Sequence, residues 1–131
     1  MRIRPATLIL VAVSIVSTAT AANYSVLHHF TGSTNDGANP FGELIVSGGA
    51  FYGTSENGGS GYAGTVFRVD PDGANFALLN PTNGFPSIAG VVLSNDVLYG
   101  VTFIPPRVFK INTNGTGFAV LRLLGADPNG T

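Results

Sequence analysis

Two adjacent imidazoles, His28 and His29, and two alternating carboxylates, Asp70 and Asp72, come nearest to chemistry in type and spacing in this 131-residue chain. An imidazole pair suggests a metal, because neutral ring nitrogens are good zinc ligands. Neighbouring residues of a strand point to opposite faces, however, so His28 and His29 do not converge on one ion, and no third ligand follows at metal-like spacing. They read as structural or surface residues. Asp70-Pro71-Asp72-Gly73 offers alternating oxygens to a hard cation, but the later acidic ligand of a calcium loop is missing. At the matching place further on, Asn112-Thr113-Asn114-Gly115 carries no charge at all. Turn formation explains both copies, since an Asx side chain bonds backbone amides two residues on and glycine relieves the left-handed position.

Tyr52 and Tyr99 each precede a glycine, Gly53 and Gly100. Tyrosine could line a sugar or peptide site, having an apolar face and a polar tip; recurrence in each unit favours a core position beside a close-packed glycine. Gly58-Gly59-Ser60-Gly61 is not a phosphate loop, because the lysine and the following helix are missing. The serines lie in turns without a Gly-x-Ser-x-Gly elbow, and the acids form no pair that can be placed across a cleft. These residues assign no catalytic group, no cofactor site and no metal ligand, and the chain is expected not to be an enzyme.

The elements that hold these residues are written twice. Val66 to Leu79 reads Val-Phe-Arg-Val-Asp-Pro-Asp-Gly-Ala-Asn-Phe-Ala-Leu-Leu, and Val108 to Leu121 reads Val-Phe-Lys-Ile-Asn-Thr-Asn-Gly-Thr-Gly-Phe-Ala-Val-Leu, an offset of 42 residues. A second echo, Leu44 to Ser55 against Val91 to Thr102, runs at an offset of 47. Such self-similarity marks a repeat architecture. Short apolar bursts stopped by Gly, Asn, Asp or Pro predict an all-β chain. The expected strands of a first unit (24–75) are 24–30, 42–46, 50–54 and 64–69, and those of a second (76–117) are 76–80, 90–93, 97–102 and 107–111. A partial third unit (118–131) begins with a strand over 118–124.

Ser47-Gly48-Gly49-Ala50 and Ser94-Asn95-Asp96-Val97 each place two flexible residues between apolar strands, as a tight hairpin requires. The units differ in length in polar, glycine-rich loops, 31–40 and 55–63, where a repeat scaffold commonly builds its binding face. Four strands in such a unit is the size of one β-propeller blade, and a ring needs at least four blades. About two and a half are present. The expectation is therefore a tandem of four-stranded antiparallel, propeller-like blades with an incomplete ring, belonging to a longer protein or completed by other copies through exposed blade edges.

Arg2 and Arg4, the apolar run from Ala6 to Val16 and the small residues from Ser17 to Ala22 follow the grammar of a secretory signal peptide over 1–22. The apolar run of 11 residues is too short to span a bilayer, and the mature chain offers no other candidate. Residues 23–131 carry four basic side chains against seven carboxylates. A net negative charge argues against nucleic acid, which wants a basic face. With no cysteine, disulfide frameworks and thiolate chemistry are excluded, and the domain must be held by its core.

Phe51-Tyr52-Gly53-Thr54-Ser55, Gly58-Gly59, Gly64-Thr65-Val66-Phe67-Arg68-Val69, Asp72-Gly73 and Phe76-Ala77-Leu78-Leu79 together resemble the GloVer tandem repeat of bacterial exported proteins. The second unit keeps Leu98-Tyr99-Gly100-Val101-Thr102, Val108-Phe109-Lys110-Ile111, Asn114-Gly115 and Phe118-Ala119-Val120-Leu121, with Phe103-Ile104-Pro105-Pro106 in place of the glycine-rich loop. The resemblance implies a secreted or surface-attached protein and a propeller-like β-repeat, and it supplies no enzymatic activity. The expected function is an exported, noncatalytic repeat protein of surface structure or recognition, contacting a glycan or a protein through loops 31–40 and 55–63. The alternative is a partial propeller of a secreted enzyme or carbohydrate-binding protein whose site requires further blades.

Overall fold

A computed structural model describes residues 23–79 and 89–125; within them the chain is all β, with two antiparallel sheets and no helix. The expected leader over 1–22 and the end of the expected third unit, 126–131, lie outside the described residues. In the first sheet, β1 (Gly37–Pro40) and β2 (Ile45–Ser47) share one edge of β3 (Ala50–Gly58). The other edge of β3 carries β4 (Thr65–Val69), with β5 (Ala77–Leu78) beyond it. The second sheet runs in sequence order: β6 (Val92–Ser94), β7 (Val97–Phe103), β8 (Pro106–Asn112) and β9 (Ala119–Leu123). Neither sheet closes on itself.

Both predicted hairpins are present, and their turn residues have the positive φ that a two-residue turn demands of both centres: 55° and 78° at Gly48 and Gly49, 49° and 60° at Asn95 and Asp96. Asparagine and aspartate tolerate this region where β-branched residues do not. The grouping of strands differs from the expectation. Tyr24–Phe30, expected as a strand, forms none: its His28 and Phe30 rings lie across Phe76 and Phe67 instead of pairing along a sheet edge. The strand expected to open the second unit is β5, which completes the first sheet, and the one expected to open a third is β9, which completes the second. Gly37–Pro40, expected as loop, is β1.

Cross-strand register defines the faces. Tyr52 lies opposite Arg68 and Thr54 opposite Val66, so Ala50, Tyr52, Thr54 and Val66 share one face of the first sheet; Phe51, Gly53, Phe67 and Val69 share the other. In the second sheet Leu98, Gly100, Phe109 and Ile111 share one face, and Val97, Tyr99, Val101 and Val108 the other. The core forms where Ala50, Tyr52 and Val66 of the first sheet meet Val91, Leu98, Phe109 and Ile111 of the second. Thr54 Oγ1 crosses this junction and donates to the Ala89 carbonyl at 2.8 Å. Beside it the two backbones touch, since a Cβ on Gly42 would stand 2.5 Å from Gly90 Cα.

Each sheet is built on a phenylalanine laid across a glycine of the neighbouring strand. Gly53 faces Phe67 and Gly100 faces Phe109, and a Cβ on either glycine would meet the ring Cζ at 2.5 Å. A second ring joins each in the same way: Phe67 and Phe76 are 5.8 Å apart at 30°, Phe109 and Phe118 5.8 Å apart at 31°. Two copies of one packing unit are therefore stacked, the inner face of one on the ring-bearing face of the next. Gly100→Ala is expected to destabilise the protein by about 1–3 kcal/mol, because the displaced Phe109 ring is enclosed by the core; urea unfolding with unchanged m-value checks it.

Candidate functional site

Loops 31–40 and 55–63 come together at one end of the first sheet. β1 pairs with the far half of β3, placing Gly37 opposite Gly58 and Pro40 opposite Ser55. The turns beyond this ladder are tied by the Gly59 amide, which reaches the Asp36 carbonyl at 2.7 Å and the Ser33 carbonyl at 3.2 Å. Tyr62 N in turn donates to Gly59 O at 3.0 Å. Beneath them the Ser55 and Thr65 hydroxyls share a buried hydrogen bond of 2.7 Å, so polar side chains on the ring-bearing face are satisfied in pairs.

At the centre lies Asp36, buried and surrounded by donors. Its Oδ1 accepts from His28 Nε2 at 2.9 Å and from the Gly37 amide at 2.7 Å; its Oδ2 accepts from the Thr31 amide at 2.7 Å and the Thr31 hydroxyl at 2.8 Å. Four bonds use the lone-pair sites of a carboxylate. Burial raises the Asp36 pKa, but the bonds from His28, Thr31 and Gly37 outweigh it, and the carboxyl is held below its ordinary value. The carboxylate is consumed in shaping the loop.

His28 is fixed on a second side by its ring, which stacks on Phe76 at 3.5 Å and 3° and meets Phe30 edge-on at 4.9 Å. The histidine thus connects the polar loop to the aromatic layer over Phe67. His29 is exposed. The two histidines do not converge, and among the described residues no group of three or more His, Asp or Glu side chains is placed to hold a metal ion.

The Asp70 and Asn112 segments are both turns, with the same bonds in each copy. Gly73 N donates to Asp70 O and Gly115 N to Asn112 O, both at 2.9 Å, while the Asp72 and Asn114 side chains accept from the amides two residues on at 2.9 and 3.0 Å. Asp70 also takes Arg68 Nη2 and Asn75 Nδ2, each at 2.7 Å. The two tyrosines part company. Tyr52 is buried in the core between the sheets, whereas Tyr99 is half-buried on the outer face of the second sheet.

What the joined loops present to solvent is hydroxyls, amides and one aromatic ring. Thr31, Ser33, Thr34, Asn35, Asn39 and Ser60 are exposed, and Tyr62, at φ 56°, stands 64% exposed. Sequence reasoning found the two loops from their length and composition but missed that Asp36 joins them. His28 lies eight residues upstream in a stretch expected to be a strand, Thr31 and Gly37 lie in the loop itself, and no local pattern announces a carboxylate that joins them. The arrangement defines a two-sheet, all-β protein with a polar loop surface on one sheet. No family model matches the chain, and no curated protein matches it.

Because the Asp36 pKa is lowered on folding, its contribution to stability is complete above the unfolded carboxyl's pKa, near 4, and is lost as pH falls through the folded value. Asp36→Asn places an amide donor among donors and is expected to cost about 1–3 kcal/mol at neutral pH. It also removes the acid limb below about pH 4. Urea midpoints of both proteins measured from pH 7 down to pH 2 check the sign.

Proposed function

We propose that the chain is an exported, noncatalytic β-repeat protein of the cell surface, its two sheets standing as successive propeller-like blades and its joined loops 31–40 and 55–63 serving recognition. The leader-like residues 1–22 and the GloVer-type motifs support the export and the repeat class. The observation that carries the recognition reading is the saturated Asp36 carboxylate. A buried carboxylate that accepts four hydrogen bonds from its own loops is occupied in holding a surface, not poised to move a proton.

The exposed residues suit a binding role. Hydroxyl and amide side chains supply adaptable hydrogen bonds, and a tyrosine supplies rigid contact area at small entropic cost, the mixture found in loops that recognise proteins and sugars. Only the first sheet carries it; between β7 and β8 the chain turns within Phe103–Pro106. A glycan or an extended peptide is the ligand class this surface favours.

The purified protein applied to arrays of immobilised polysaccharides and peptides is expected to bind, and Tyr62→Ala to weaken that binding at least about tenfold, the loss of one buried aromatic contact, with the urea midpoint unchanged. Binding indifferent to Tyr62→Ala would move recognition elsewhere on the molecule. Release of cleaved sugar or peptide from the bound ligand would contradict the noncatalytic reading.

A further inference from the structure

The contact between the two sheets uses one face of each, and the unused faces are counterparts of the used ones. On the first sheet Ile45, Ala50, Tyr52, Thr54 and Val66 face the second sheet, and all but Ile45, which is half-buried, are buried. At the equivalent positions of the second sheet stand Val92, Val97, Tyr99, Val101 and Val108. Here Val92 is 66% and Val101 41% exposed, and the other three are half-buried. This is a largely apolar sheet face in the same register, with Lys110 beside Tyr99, and it is partly open to water.

The receiving face shows the converse. On the second sheet Val91, Leu98, Phe109 and Ile111 are buried beneath the first. Their counterparts on the first sheet are Leu44, Phe51, Phe67 and Val69, of which Phe67 and Val69 are already buried, Phe51 is half-buried and Leu44 is exposed. Residues 27–30 cover the outer part of this face, where Phe30 meets Phe67 at 5.1 Å. Inside that cover Leu44 remains 50% exposed, beside a cavity of about 220 Å³ walled by His28, Phe30, Leu44, Phe67 and Val69 among others. At the corresponding place on the second sheet lies the Tyr52 face of the first.

We propose that a second copy of this chain docks head to tail, its Val92, Tyr99, Val101 and Val108 face covering Leu44 and closing the cavity beside it on the next, as the first sheet covers the second within one chain. The occupant is a copy because the protein already contains both halves of this junction and joins them once. The contact is heterologous, so repetition closes a ring or extends a filament, depending on the rotation per copy. It is weaker than the junction inside the chain: Thr54, which bridges to Ala89, has Val101 as its counterpart, and valine brings no hydroxyl. This goes beyond the recognition role of the loops, which lie at the end of the first sheet.

Mass by light scattering across concentration tests it, with two variants that each block one face by a lysine at exposed positions: V92K/V101K and L44K. Far-UV circular dichroism and urea midpoints matching wild type show that both remain folded. The wild-type mass is expected to rise in monomer steps, each variant alone to stay monomeric, and an equimolar mixture to form a dimer and nothing larger, through the one intact face of each. A wild-type protein that stays monomeric up to millimolar concentration, variants that still associate, or a mixture that gives no dimer would each overturn the proposal. The mixture separates a head-to-tail contact from edge pairing or from a symmetric dimer, which it would not rescue.

Discussion

A phenylalanine ring lying across a glycine on the neighbouring strand is the contact on which the rest of the molecule depends. Glycine removes the side chain that would stand in the ring's place, and the ring supplies the apolar surface that the glycine lacks. Gly53 with Phe67 and Gly100 with Phe109 are the two instances. Period-two alternation then places every other side chain of the central strands: those two residues from the glycine share the ring face, and those next to it form the opposite face. In the second sheet the ring face is covered by the Ala50, Tyr52 and Val66 face of the first, which makes the shared core. In the first sheet it is covered in part by His28 and Phe30. One local rule, applied twice, yields both the core and the outer layer.

The loop surface hangs from that outer layer. His28 is both a member of the aromatic stack, through Phe76, and a donor to Asp36. Asp36 in turn organises Thr31 and Gly37, and its carbonyl receives the Gly59 amide from the second loop. Apolar packing and polar satisfaction are thereby linked through one imidazole. The chain has no cysteine to fix these loops, and the saturated Asp36 carboxylate ties them together.

The repeat was legible because equivalent positions carry the same residue types: the tyrosine-glycine pairs, the phenylalanines and the Asx turns all lie at constant offsets. The two-residue hairpins were legible because positive φ restricts which residues can occupy them, and Gly48-Gly49 and Asn95-Asp96 satisfy that restriction. The grouping of strands into sheets was not. Ala77–Leu78 is written like the strand after it and joins the sheet before it, a choice made by which edge is free and not by its own sequence. Gly37–Pro40 contains glycine and proline, poor strand formers in isolation, and is drawn into a ladder by the extended edge of β3. The segment 24–30 alternates like a strand, yet it contributes its His28 and Phe30 rings to the aromatic layer and no ladder. The hydrogen bonds to Asp36 are likewise products of the fold, since they require the loop to close before the donors meet.

The loop surface is tied to the core beneath it through contacts that run from Phe67 by way of Phe76 to His28 and on to Asp36. Amide hydrogen exchange followed by NMR tests this most directly, because each donor in the chain reports separately. The Thr31, Gly37 and Gly59 amides are expected to exchange with protection approaching that of Phe67 and Phe109 in the central strands. Exchange of those three amides at the rate of unstructured peptide, with the strands still protected, would contradict it.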